Sequence, residues 1–123
     1  MPSGALIAKE MAVLMGVLAH PHRIQIIEEL RNGEMDVNSL QGVLGVSHSR
    51  VSQHLSVFRA HRVVGERREG RYVYYRLLQP QLASWLLEGF EFLRMEYDLN
   101  AEVQAALNTT RAMREDANDV QEH

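Results

Sequence analysis

Apolar positions recur at helical spacing through residues 5–30 of the chain. Residues 5–19 are apolar on more than one side, which predicts a helix that is buried against a partner. His20-Pro21 then begins a second helix, because proline is favoured at the first helical position. Asn32-Gly33 is a strong stop signal. The pattern therefore predicts two apolar helices in succession.

Two short helices with matching start and stop signals come next. Asp36 and Ser47 are each expected to cap a helix N-terminus, and Gly45 can adopt the left-handed conformation that ends the first of these helices. The second helix has one narrow apolar stripe, formed by Val51, Leu55 and Phe58. A pair of capped helices joined by so short a turn predicts a helix-turn-helix motif. Its second helix leaves a polar face on the open side.

The period of the pattern changes from 3.6 to 2 in residues 63–77, which predicts two β-strands. Glu69-Gly70 is predicted to be the two-residue turn between them. A long apolar helix then runs from Pro80 to about Tyr97, and residues 99–113 can form a further amphipathic segment. The tail from residue 114 is polar, and we expect it to be disordered.

These elements predict a mainly α fold with a small β-hairpin, in the order α-α-α-α-β-β-α, which is a winged helix-turn-helix. A chain of 123 residues has the length of one domain. We expect residues 1–97 to carry out DNA binding and dimerisation. Residues 98–123 are expected to form a C-terminal helical extension and an acidic tail.

Charge is distributed unevenly along the chain. Residues 47–76 contain seven arginines and two glutamates, a local net charge of +5, whereas the whole chain carries −3. The segments before and after carry −2 and −6. Basic charge concentrated in one segment predicts a polyanionic partner.

Eleven side chains of this basic segment are candidates for contacting double-stranded DNA. They are Ser47, His48, Ser49, Arg50, Ser52, Gln53, His54, Arg67, Arg68, Arg71 and Tyr72. Arg50 can donate two hydrogen bonds to a guanine edge, and Gln53 can pair similarly with adenine. The arginines of the hairpin are expected to reach the flanking minor groove or the backbone. Two plainer interpretations stay open, because His54 can serve packing and the hairpin arginines can form a solvated face.

The two apolar terminal helices have more apolar surface than a chain of this size can bury alone. They are expected to form the interface of a homodimer. The candidate interface residues are Leu6, Met11, Leu14, Met15, Leu18, Leu82, Trp85, Leu86, Phe90 and Leu93. A two-fold dimer would match a palindromic DNA site.

Three separated motifs occur in the order of one known family. "LAHPHRIQIIEEL", "SHSRVSQHLSVFRAHRVV" and "RREGRYVYYRL" resemble the ArsR/SmtB family of bacterial winged-helix repressors, over roughly residues 10–95. The resemblance implies a homodimer that binds an imperfect palindromic operator and is released by an inducer. No signal peptide or membrane span is predicted, so we expect a cytoplasmic protein without a membrane partner.

The metal sites of that family have no counterpart in this sequence. The chain contains no cysteine, and Asp36-Val37-Asn38 stands where the family has Cys-x-Cys. The positions of the second family site read Gln79, Gln81, Phe92 and Met95, which cannot hold zinc. We therefore expect no metal and no cofactor, and an unknown effector that is neither a metal nor a thiol. A weaker alternative combines His20, His22 and His123 as a metal site.

Two other classes of function have to be weighed. A winged helix can serve only as a protein-interaction module, but the arginines of the hairpin favour nucleic acid. An enzyme is not expected, because no nucleophile with an adjacent base, no phosphate-binding glycine loop and no paired carboxylates are recognisable. No catalytic residues are predicted.

Overall fold

The computed structural model describes residues 3–96 and 101–122, in two units that divide after Pro80. The first unit contains four α-helices and three strands. They are α1 (Gly4–Leu18), α2 (Pro21–Glu29) with a 3₁₀ turn (Leu30–Asn32), β1 (Met35–Asp36), α3 (Val37–Leu44), α4 (His48–Ala60), β2 (Val64–Glu69) and β3 (Tyr72–Leu77). No single helix among the described residues is long and apolar enough to span a bilayer. The helical segments Gly4–Leu18 and Pro21–Asn32 have sufficient length and apolar character only when taken together, and they are bent by 89° relative to each other.

Local capping interactions set the bounds of the helix-turn-helix. The Ser47 hydroxyl accepts the Arg50 backbone N–H at 3.2 Å, which satisfies a free donor at the start of α4. Gly45 ends α3 with a φ of 69°, in the left-handed region. Asp36 occupies the N-cap position of α3, but its carboxylate accepts the Ser39 hydroxyl instead of a backbone N–H. The predicted motif and its boundaries are confirmed.

The sheet has one strand more than the sequence predicts. Its order is β1-β3-β2, all antiparallel, and Met35 pairs with Tyr75. A two-residue strand has no alternation to recognise, so its partner forty residues later cannot be read from the pattern. The predicted turn is also wrong by one residue. Glu69 pairs with Tyr72, and the turn is Gly70-Arg71, because the positive φ of 61° at Gly70 belongs at the first turn position.

The core of the first unit lies between the helix-turn-helix and the base of the hairpin. Its buried residues are Val17, Leu18, Ile26, Ile27, Leu30, Leu40, Val51, Leu55, Phe58, Val63, Val64 and Leu77. The predicted stripe of α4 is buried as expected. Leu18, a predicted interface residue, is only 4% exposed within the chain itself, so it contributes to the core of the first unit. Leu18 is the last residue of α1, and it is buried together with Val17.

The second unit consists of α5 (Gln81–Glu96) and α6 (Ala101–Glu122). Arg111 forms an ion pair with Glu91, and Arg94 donates to the side chain of Asn108. The structure therefore groups α5 with α6, whereas the sequence placed a boundary at residue 97. The backbone is helical up to Glu122, where a disordered tail was predicted. Polarity suggested disorder, but Ala, Arg, Gln and Glu in this segment are strong helix formers.

Candidate nucleic-acid interface

The start of α4 presents a row of polar side chains to solvent. His48, Ser49, Arg50 and Gln53 are exposed, and Ser52 is partly exposed. The Ser52 hydroxyl lies 3.5 Å from Nδ1 of His48, one turn earlier on the same face. Arg50 forms no ion pair with any residue that the structure describes. Its guanidinium is therefore available to an external acceptor.

The hairpin presents a second basic surface. Arg68 and Arg71 are exposed, and neither forms an ion pair within residues 3–96 or 101–122. Tyr72, the first residue of β3, is 49% exposed and lies 6.4 Å from Tyr74 between ring centroids. These three predicted residues have the accessibility that a contact with DNA requires.

Arg67 differs from the other hairpin arginines because acidic side chains already hold it. Its guanidinium contacts Glu34 at 2.5 Å and Glu69 at 2.7 Å, and lies 4.7 Å from the centre of the Tyr74 ring. The hydrogen bond from Arg67 lowers the pKa of Glu34, and the same pair raises the pKa of Arg67. Arg67 therefore ties the hairpin to the segment before β1. Arg67 is thus engaged within the protein, and its predicted contact with DNA stays a prediction.

A cleft of about 230 Å³ brings the two basic surfaces together. It is lined by Asp36, Val37, Asn38, His48, Ser52, Arg71, Tyr72, Val73 and Tyr75. Predicted residues from α4 and from the hairpin thus border one opening. The cleft is smaller than the roughly 300–1,000 Å³ of small-molecule pockets. Asn38 was missed by the sequence analysis, although the N-cap signal at Asp36 already placed it at an exposed helix start.

His54 faces α2 instead of the open side of α4. Its Nδ1 accepts a hydrogen bond from Arg23 Nε at 3.1 Å, and Arg23 also donates to the Val17 carbonyl at 3.1 Å. The His54 ring lies 4.6 Å from that of His20 and 5.8 Å from that of His22. Burial, followed by the electrostatic effect of the neighbouring His20 and Arg23, lowers the pKa of His54. This geometry favours the plainer interpretation of His54, in which it serves packing and hydrogen bonding, and its contact with DNA stays a prediction.

Three histidines lie close enough together to act as ligands of one metal ion. Within the described part of the chain, one ring nitrogen from each of His20, His22 and His54 lies within 4.8 Å of the others. His123, the third member predicted from the sequence, lies outside the described residues, as does the side chain of Met95. His54 was missed because it follows His22 by more than thirty residues, and only the packing of α4 on α2 brings them together.

The terminal helices present exposed apolar side chains. On α1 these are Leu6, Ile7, Met11, Val13 and Met15, and on α5 they are Trp85, Phe92 and Leu93. The other predicted interface residues, Leu14, Leu82, Leu86 and Phe90, are partly exposed. Trp85, Leu86, Glu88, Gly89 and Phe92 line a largely apolar groove of about 370 Å³ on α5.

Comparisons with known proteins place this architecture in one family. The family model described as "Bacterial regulatory protein, arsR family" matches residues 20–65, from the start of α2 into β2. The chain is 34% identical over 88 residues to the HTH-type transcriptional regulator NmtR of Mycobacterium tuberculosis, covering 72% of this chain and 73% of that protein. The chain belongs to the arsR family.

Further relatives of this arsR-family protein agree with that assignment. The biofilm growth-associated repressor of Agrobacterium fabrum is 37% identical over 76 residues, and the match spans 62% of this chain and 65% of that repressor. The crystal structure of NolR from Sinorhizobium fredii has a TM-score of 0.66 at 32% identity, over 75% of this chain and 92% of that chain. The resemblance read from three motifs and the winged helix-turn-helix fold are both confirmed. NmtR is named as a transcriptional regulator, and the protein of Agrobacterium fabrum as a repressor.

Proposed function

We propose that this arsR-family protein is a transcriptional repressor that binds a palindromic double-stranded DNA operator as a homodimer in the cytoplasm. One observation carries the proposal. Arg50 on α4 and Arg68 and Arg71 on the hairpin are all exposed and without ion pairs among the described residues, on elements that border a common cleft.

The two surfaces suit two different parts of DNA. A helix of thirteen residues such as α4 is about 20 Å long, and the major groove is about 12 Å wide, so its N-terminal half can enter the groove. There, Arg50 and Gln53 can reach base edges. The hairpin arginines then lie where they can contact phosphates or the flanking minor groove, which fixes the position of the protein without reading sequence.

The dimer is supported by the apolar surfaces of α1 and α5. Met11 and Met15 on α1 and Trp85 on α5 are exposed among the residues that the structure describes. Two copies related by a two-fold axis would place their α4 helices about 34–36 Å apart, which is one turn of DNA. The arsR relatives that are named as repressors support the direction of regulation.

The test is a DNA-binding measurement at several salt concentrations, using duplexes selected by the purified protein from a random-sequence pool. A dimer that neutralises about four to eight phosphates should give a slope of log K against log salt of roughly −4 to −7. Selected duplexes should contain an inverted repeat. A protein-interaction module would retain no duplex at low salt, and that result would overturn the proposal.

A further inference from the structure

Three histidines from two helices meet beside the hydrogen bond that joins α2 to α4. His20 and His22 lie at the start of α2, and His54 lies on α4, four residues after Arg50. Their ring centroids are 4.6–5.8 Å apart. Among the described residues, this is the group of side chains with the spacing of metal ligands. The group is separate from both family metal sites, whose positions lack ligands in this chain.

Two hydrogen bonds within the cluster determine which ring nitrogens carry protons. Nδ1 of His20 accepts the backbone N–H of His22 at 3.0 Å, which caps α2, and Nδ1 of His54 accepts Arg23 Nε. A neutral imidazole has one acceptor nitrogen and one N–H. Both rings therefore carry their proton on Nε2. His22 differs, because its Nδ1 is buried and has no hydrogen-bond partner among the residues that the structure describes.

We propose that His20, His22 and His54 form a binding site for a divalent transition-metal ion, with Zn²⁺ as the best-suited ion. Neutral imidazole is a preferred ligand of zinc, and three protein ligands with one water form a common tetrahedral set. Zinc bonds of about 2.0–2.1 Å require ligand nitrogens roughly 3.4 Å apart. The ligand nitrogens, which are up to 4.8 Å apart, must therefore approach one another by up to about 1.4 Å when the ion binds. The Nδ1 atom of His22 is buried and has no hydrogen-bond partner among the described residues. It can therefore bind the ion without losing a hydrogen bond.

Metal binding excludes the hydrogen bond between Arg23 and His54. If the metal takes Nδ1 of His54, it replaces Arg23 directly. If it takes Nε2, the proton must move to Nδ1, which then faces Arg23 as a second donor. The same reasoning applies to the cap that His20 provides for His22. Metal binding therefore breaks the Arg23–His54 hydrogen bond that connects α2 to α4. This effect does not depend on DNA binding.

The experiment uses untagged full-length protein, titrated with Zn²⁺ in a calorimeter and with Co²⁺ by visible absorption. We expect one ion per chain, and His22→Ala should weaken binding by roughly tenfold or more, because it removes a ligand. His61→Ala removes an exposed histidine outside the cluster and should bind like the wild type. His123→Ala should also bind like the wild type. Arg23→Met should tighten binding, because it removes a competing donor and a nearby positive charge.

Nitrogen NMR of the wild-type chain gives a readout that does not depend on a variant folding. Zinc should shift the ring signals of His20, His22 and His54, leave those of His48 and His61 in place, and abolish the hydrogen-bonded Arg23 Nε–H signal. Absence of binding to the wild type would overturn the proposal. So would undiminished binding by folded His22→Ala, or weaker binding by folded Arg23→Met.

Discussion

At the scale of single residues, the exposed arginines of α4 and of the hairpin differ in what they can recognise. Arg50 can form two hydrogen bonds to one guanine, so Arg50→Ala should cost about 1–3 kcal/mol on the selected operator and relax the base preference at one position. Arg68 contacts a phosphate or the flanking minor groove on this scheme, which positions the protein without reading sequence. Arg68→Ala should weaken binding to all duplexes similarly and make the salt slope less steep by about one unit.

Anisotropy titrations on operators with each base substituted in turn separate the two effects. The variants serve as controls for each other, since each removes one exposed guanidinium that has no ion pair among the described residues. If Arg50→Ala left every base preference intact, the assignment of α4 as the reading element would be wrong.

Arg67 shows how a residue of the same type can have a structural role. Because Arg67 lowers the pKa of Glu34 below its ordinary value of 4.5, the pair stabilises the fold above pH 4.5. This stabilisation is lost as the pH falls through the lowered pKa, where Glu34 becomes protonated in the folded state. Glu34→Gln should therefore lower the free energy of unfolding at neutral pH, and the difference from wild type should shrink in acid.

Denaturant unfolding of both proteins between neutral pH and pH 3 measures this dependence. Glu102→Gln on α6 offers a comparison, because it removes an exposed carboxylate that forms no ion pair with any residue the structure describes. If the difference in the free energy of unfolding between Glu34→Gln and wild type stayed constant from neutral pH to pH 3, the ion pair would contribute nothing to stability.

At the scale of elements, the helix-turn-helix depends on one left-handed residue. Gly45 has a φ of 69°, so Gly45→Ala should destabilise the protein by about 1–2 kcal/mol. Gly42, three residues earlier, lies inside α3, and a Cβ there meets nothing within 4 Å. Gly42→Ala should therefore stabilise the protein by about 0.5–1 kcal/mol. Thermal or denaturant unfolding measures both, and equal effects of the two changes would contradict this account of the turn.

The elements that the sequence predicts correctly are those with local causes. Ser47 and Gly45 act within a few residues of themselves, so the boundaries of α3 and α4 follow from the chain alone. The strand at Met35–Asp36 was missed, because two residues become a strand only by pairing with β3. The hydrogen-bond partner of His54 and the ion pair of Arg67 with Glu34 were missed for the same reason. Their partners are 31 and 33 residues away, and only the assembled fold selects them.

At the scale of the whole molecule, the proposed dimer requires the exposed apolar faces of the terminal helices. Met15 on α1 is 52% exposed and Leu93 on α5 is 42% exposed, so a glutamate at either position leaves the core of the single chain intact. In a dimer interface, however, each carboxylate would be buried without a partner, at a cost on the order of several kcal/mol. Met15→Glu and Leu93→Glu should therefore sediment as monomers at concentrations where the wild type is a dimer.

Val43→Glu is the matched control, because Val43 is 51% exposed on α3, outside the proposed interface, and this variant should remain dimeric. The monomeric variants also connect assembly with DNA binding. One chain contacts one half-site, so their salt slope on the operator should fall to about half of the wild-type value. Dimers that persisted in both variants would remove α1 and α5 from the interface. A full slope in a monomer would mean that one α4 and one hairpin make all the phosphate contacts.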